Sequence, residues 1–166
     1  MNPLAMAVVD FWFGPPGAAE RGSARQVWFR KDPAFDEDIR GRFGAAVSIA
    51  LAGGYGDWCA DAHGALARVL LLDQFTRNIF RDTPRAFAGD ARALATAEDA
   101  LARGLDCQLD VFGRWFTAGY PGDLREPRMW ISWLMGEAQR ANPWTQKTAS
   151  ISRVDLTALP RGSDPR

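Results

Sequence analysis

The chain has 166 residues, 47% of them hydrophobic and 24% charged, and its 20 basic and 20 acidic side chains leave a formal net charge of zero. That length suits one domain with a core of its own, and the missing basic excess argues against a nucleic-acid-binding protein. No apolar run approaches the roughly 18 residues of a membrane span. Residues 1–14 carry Asp10 and no Lys or Arg, unlike a secretory leader, so a cytoplasmic address is expected.

Asn2-Pro3 has the form of a cap followed by proline at the first helical position. The helix it opens places Leu4, Val8, Phe11 and Trp12 on one face, and Gly14-Pro15-Pro16-Gly17 ends it. A loop over 18–31 follows, with Val27, Trp28 and Phe29 as an apolar anchor. Asp32-Pro33 opens a second helix, with Asp36 and Glu37 in its first turn, where the helix dipole favours acids. Phe35, Ile39, Phe43, Ala46, Val47 and Ala50 make its core stripe, and Gly53-Gly54 stops it. A third helix is expected from about 61 to 78 or 81. Residues 62–72 are apolar on most sides, which predicts a central position. Asp82-Thr83-Pro84 breaks it. A fourth helix, 90–103, has a small inner face of Ala93, Leu94, Ala97 and Leu101, which lets a neighbour approach closely. A short fifth helix is expected at 107–116. Nothing alternates with the two-residue period of a strand ladder. The fold class is therefore all-α, built from antiparallel helix pairs with short connections. From Thr117 the chain changes character, with Gly119, Pro121, Gly122 and Pro127 as breakers. One more amphipathic helix is expected at 128–141, closing a single domain of residues 1–141, and a flexible polar tail at 142–166.

The third helix carries the one concentrated polar feature. Asp73, Gln74, Arg77, Asn78 and Arg81 stand among large apolar residues. With Asp73 at 0° and about 100° per residue, the other four fall between about 40° and about 140°. Leu71, Phe75, Ile79, Leu72, Val69 and Phe80 take the opposite arc. Asp73 and Arg77 form an i,i+4 pair in the favourable order. A buried version needs several hydrogen bonds per charge, because an unpaired buried ion costs several kcal/mol. Three roles fit: a polar network that fixes helix packing, an anion or small-molecule site that uses the two guanidinium groups, and a solvated face. The five residues are the candidate ligand-binding set.

Elsewhere the chemistry is sparse. Cys59 and Cys107 are the only cysteines and His63 the only histidine. Two free thiols are expected. Cys59, Asp61 and His63 lie close together without a metal-ligand spacing, so no metal and no cofactor are expected. Gly56-Asp57-Trp58 reads as a loop entry, which separates Cys59 from the helix bearing His63 and argues against a nucleophile pair. Gly53-Gly54-Tyr55-Gly56 reads as a helix stop rather than a phosphate cradle. No catalytic residue is assigned.

Four stretches in order carry a family resemblance: Val8-Val9-Asp10-Phe11-Trp12-Phe13-Gly14; Trp28-Phe29-Arg30-Lys31-Asp32-Pro33-Ala34-Phe35-Asp36; Leu71-Leu72-Asp73-Gln74-Phe75-Thr76-Arg77-Asn78-Ile79-Phe80-Arg81; and Ala86-Phe87-Ala88-Gly89-Asp90. Over residues 6–116 the chain resembles the bacterial family known as domain of unknown function 924. The resemblance implies an all-helical fold similar to tetratricopeptide-repeat superhelices, with no established activity. It also implies a continuation with a Tyr-Leu-Pro-like segment, a His-Ser-Glu motif and a downstream Gln. This chain departs there. Tyr120-Pro121 is a trace of that continuation, but Gly122-Asp123-Leu124-Arg125-Glu126 follows and no histidine occurs after His63. Its C-terminal third has either diverged or been replaced, for example by a reading-frame change. A helix missing there would leave core surface exposed, and two roles fit Met129 to Leu134, with Trp130 and Trp133: a cover for that surface, or a sticky segment in its own right.

Two functions follow as expectations. The first is a non-enzymatic binding or scaffold module for a protein or peptide, with Trp28, Trp58 or Trp130 as anchors if exposed, although tryptophans are more often core. The alternative is a small-molecule enzyme or sensor in which Arg77 and Arg81 hold an anion and Asp73 orients it or moves a proton, joined by Asp10 and Asp90 if their helices pack alongside. Burial discriminates: a network closed on itself favours structure, and a pocket with convergent polar groups favours a ligand.

Overall fold

The computed structural model describes residues 2–118. The helix expected at 128–141, the tail at 142–166 and Trp130 lie outside the described residues. Within that range the fold is all-α, as expected, and no strand occurs among the described residues.

Helix α1 spans Pro3–Phe13. The Asn2 side chain accepts from the amides of Leu4 (2.9 Å) and Ala5 (3.4 Å), so it satisfies two of the donors a helix start leaves unpaired. Gly14, at φ +89°, terminates α1 in a conformation that favours glycine. Arg25 Nη1 donates to the carbonyls of Phe11 and Trp12 (2.7 Å each), a cation on the negative end of the helix. Helix α2 spans Pro33–Leu51 and is capped by Asp32 at the amides of Ala34 (3.0 Å) and Phe35 (3.2 Å). Gly53, at φ +99°, lies beyond its end.

Helix α3, Ala62–Leu70, starts at Asp61, whose carboxylate accepts from the Gly64 amide (2.9 Å). It runs without a break into a π turn, Leu71–Phe75, and then into α4, Thr76–Ile79. The expected third helix is thus real, but its second half is not a regular α-helix and it ends at Ile79. Helix α5 is Asp90–Ala102 and α6 is Val111–Ala118. The fifth helix expected at 107–116 is instead a 3₁₀ turn, Leu105–Gln108, followed by α6. Further 3₁₀ turns stand at Gln26–Trp28, Gly56–Ala60 and Pro84–Phe87.

The central position expected for the third helix holds. Helix α3 packs against both α1 and α5, while the π turn and α4 pack on α2. Leu70, Leu71, Leu72 and Phe75 are fully buried. The α2 stripe is buried from Ile39 to Ala50, with Phe35 half-buried at its start. Ala93 and Ala97 seal the α5 side. Phe11, Phe43 and Phe75 meet with ring centroids 5.1–6.0 Å apart. Trp28 stacks on Trp12 at 5.8 Å and donates its Nε1 to the Trp12 carbonyl (3.1 Å), which gives the 18–31 loop its expected anchor.

Candidate functional site

The π turn and α4 present the five polar residues predicted from sequence, but not as one face. They divide between two carboxylate-centred clusters. A π turn advances the chain by more residues per turn than an α-helix, and Arg81 lies beyond the end of α4, so the even spacing assumed for a single arc does not apply. The Thr76 hydroxyl shares its one proton between the carbonyls of Leu72 (2.8 Å) and Asp73 (2.7 Å), giving a partner to the backbone of the π turn. Gly89 covers the same turn from outside, so closely that a Cβ there would run into the Leu72 carbonyl.

The first cluster surrounds Arg77. Asp73, only 2% exposed, accepts at Oδ1 from Arg77 Nε (2.8 Å) and at Oδ2 from Gln74 Nε2, and its Oδ1 forms an ion pair with Arg77 Nη2 (2.7 Å). Arg77 Nη2 also reaches Asp90 Oδ1 (3.2 Å) and Oδ2 (3.3 Å) at the first turn of α5. The exposed Phe87 ring lies against the guanidinium, its centroid 4.9 Å away. Burial pushes the Asp90 carboxyl above the ordinary carboxylate value, the Arg77 charge opposes this, and the Asp73 charge adds to it.

The second cluster surrounds Asp36 on α2. Arg81 grips it with both prongs, Nε to Oδ2 (2.7 Å) and Nη2 to Oδ1 (2.8 Å), and Asn78 Nδ2 donates to Oδ1 (2.7 Å). Burial raises the Asp36 carboxyl, but hydrogen bonds from Arg81 and Asn78 and the charges of Arg81 and Arg40 outweigh it, so the net shift is downward. The Arg81 guanidinium is raised in turn, first by its hydrogen bond to Asp36. Arg40 Nη2 donates to the Ile79 carbonyl (2.6 Å), placing a cation at the end of α4.

Of the two acids expected to join, Asp90 does and Asp10 does not. Asp10 pairs with Arg21 (2.8 Å), because its position on α1 faces the 14–25 loop. Asp36 was missed: as an acid in a helix's first turn it has a sufficient local explanation. Its signal was its place on the α2 stripe, three and seven residues before Ile39 and Phe43, where a charge needs a buried partner. Thr76 and Phe87 were also missed, and a hydroxyl or an aromatic at such positions carries no distinctive signal. Trp58 is buried, stacked by Tyr55 at 4.0 Å, and Trp28 is half-buried, so neither stands out as an exposed anchor. Cys59 lies in the Gly56–Ala60 turn and His63 in α3, the separation expected.

Both clusters lie within the stretch that comparison with known proteins matches. The family model for a bacterial protein of unknown function, DUF924, matches residues 8–120. The chain belongs to the DUF924 family. A solved structure of a protein of unknown function from Agrobacterium tumefaciens, ATU0120, is similar to this DUF924 member at 37% identity and a TM-score of 0.60, over 69% of this chain and 60% of that one. The chain therefore spans about 60% of the length of that relative. No curated protein matches it.

As a site for chemistry, the DUF924 polar clusters are largely self-satisfied. Among the described residues, Asp36 accepts three hydrogen bonds from Arg81 and Asn78, and Asp73 accepts two from Arg77 and Gln74 and is ion-paired with Arg77. An anion that approached Arg81 would compete with a bidentate carboxylate already in place. Among the described residues no group of three or more His, Cys, Asp or Glu is placed to hold a metal ion.

Proposed function

We propose that this DUF924 domain is a non-enzymatic helical binding module for a protein or peptide, and that the Asp73–Arg81 stretch is its internal clamp. The observation that supports this is the closure of both clusters. Among the described residues, Asp73 and Asp36 are buried and paired with side chains of the domain itself, and the two clusters tie the π turn and α4 to α2 on one side and α5 on the other. A clamp of this kind holds helices in fixed relation, as a recognition surface requires. A tetratricopeptide-like stacking of helix pairs belongs to the same proposal, as an analogy of fold.

A second reading, a small-molecule enzyme or sensor, is favoured by one feature: Asp73 sits within a π turn, and such turns are frequent at functional sites. There Asp73 and Asp90, sharing Arg77, would handle a proton or orient a polar ligand.

A thermal-shift screen of the full chain against small anions and metabolites, with Arg77→Ala beside the wild type, tests both. The binding-module reading expects no compound whose effect depends on Arg77, and a variant that melts well below the wild type. A compound that raises the wild-type Tm by several degrees but leaves the variant unmoved would overturn it in favour of the ligand site.

A further inference from the structure

At the opposite end of α2, Arg68 of α3 is half-buried and without a carboxylate partner among the described residues. Its Nε donates to the Gly54 carbonyl (3.2 Å). Its Nη1 donates to the Thr96 hydroxyl of α5 (2.8 Å) and lies 3.7 Å from Cys59 Sγ. Thr96 is itself fixed, since its hydroxyl donates to the Arg92 carbonyl (2.8 Å). The guanidinium is thus held in one orientation by three different segments. Its Nη2 makes no hydrogen bond among the described residues, yet it is not sealed from solvent.

Arg92, one turn before Thr96 on α5, comes to the same place. A Cβ built on Gly53 would lie 3.8 Å from its Nη2, and Gly53, at φ +99°, leaves that side open. Arg92 is exposed and its guanidinium has no hydrogen bond or ion pair among the described residues. Two acids of the neighbouring elements are committed elsewhere: Asp61 caps α3, and Asp99 is paired with Arg103 (3.0 Å). The α2 C-terminus explains Arg68 Nε on Gly54, since a cation is favoured at that end of a helix. It does not explain why a second guanidinium, that of Arg92, also reaches this turn with donors to spare.

We propose that Arg68 and Arg92 form a binding site for a small oxyanion at the Gly53–Gly54 turn. Arg68 Nη2 supplies a fixed donor and Arg92 closes on the ligand from the surface. A tetrahedral phosphate or a planar carboxylate presents the oxygen pair that a guanidinium fork accepts. This site is separate from the Asp73–Arg81 clamp, and its existence does not depend on the reading of that clamp.

The test is a titration of the full-length chain with inorganic phosphate at neutral pH, against sodium chloride at matched ionic strength, read by thermal melting. Acetate in a parallel arm separates a carboxylate ligand from a phosphate one. The wild-type Tm is expected to rise saturably with one of the two anions. Arg92→Ala, which removes an exposed side chain with no hydrogen bond or ion pair among the described residues, is expected to weaken the apparent affinity about tenfold. Arg68→Lys, which keeps the charge but loses the fork, is expected to do the same, while Arg85→Ala, an exposed arginine elsewhere, leaves the response intact. Melting unchanged by either anion relative to chloride overturns the site. So does a response that Arg92→Ala retains in full, which would reflect general salting-out stabilisation.

Discussion

Arg77 is held between two carboxylates, and that arrangement sets what its loss must do. Asp73 is almost fully buried, and Arg77 supplies both a hydrogen bond to its carboxylate and the charge paired with it. Arg77→Ala therefore strands a buried carboxylate beside a second one, and the expected cost is roughly 3 kcal/mol, the low end for breaking a buried pair. Urea unfolding measures it, and a loss under about 0.5 kcal/mol would mean the pair behaves like a solvated one. The acids on either side respond to pH in opposite senses. Asp36 has a folded-state pKa below the ordinary 3.8, so its contribution is in place above that value and is lost as pH falls through the lower one. Asp90 has a folded-state pKa above 3.8, so the folded state holds its proton more tightly and stability declines as pH rises from 3.8 through the raised value. Unfolding curves between pH 3 and 7 separate the two. Asp36→Asn is expected to lose a stability that the wild type gains on leaving acid. Asp90→Asn is expected to remove the decline, so the gap between this variant and the wild type shifts in the variant's favour as pH rises. A gap that stays constant with pH would show that Asp90 titrates alike in both states.

Two glycines test how elements fit. Gly89 lies against the π turn, and Gly89→Ala is expected to destabilise by about 1–3 kcal/mol, the range for forcing extra atoms into a packed contact. Gly41, exposed within α2, has nothing within 4 Å of a built Cβ, and Gly41→Ala is expected to stabilise by about 0.5–1 kcal/mol through helix propensity alone. Opposite signs in thermal melts of the two variants would confirm that the 80–89 loop seats on the π turn. Two similar shifts would show that it does not. At this scale the helix starts were legible because a cap is local chemistry: Asn2-Pro3, Asp32-Pro33 and Asp61 each satisfy amides two or three residues away. The π turn was not legible. Residues 69–72 are apolar on every side, and a helix buried all round gives the same pattern at either pitch.

Across the whole molecule, the all-α class, the central α3 and the family were legible, because apolar periodicity and a motif survive in one dimension. The partition of the polar residues was not, because it depends on pairs far apart in sequence. Asp36 and Arg81 are separated by 45 positions, and nothing local in either reports the other. That partition makes a prediction about how the domain comes apart. Arg77 ties the π turn and α4 to Asp90 of α5 and to Phe87 of the 80–89 loop, whereas Arg81 ties the same stretch to Asp36 of α2. Removing one tie should loosen one flank rather than the whole. In native-state hydrogen exchange, Arg77→Ala is expected to expose amides at the start of α5 while those early in α2 keep their protection, and Arg81→Ala is expected to do the reverse. The amides from Leu66 to Leu72, at the end of α3 and the start of the π turn, lie under both flanks and should exchange only through global unfolding and follow each variant's overall stability. An equal loss of protection on both flanks in either variant would mean that the two clusters act as one unit, and the division seen at the π turn would then have no energetic counterpart.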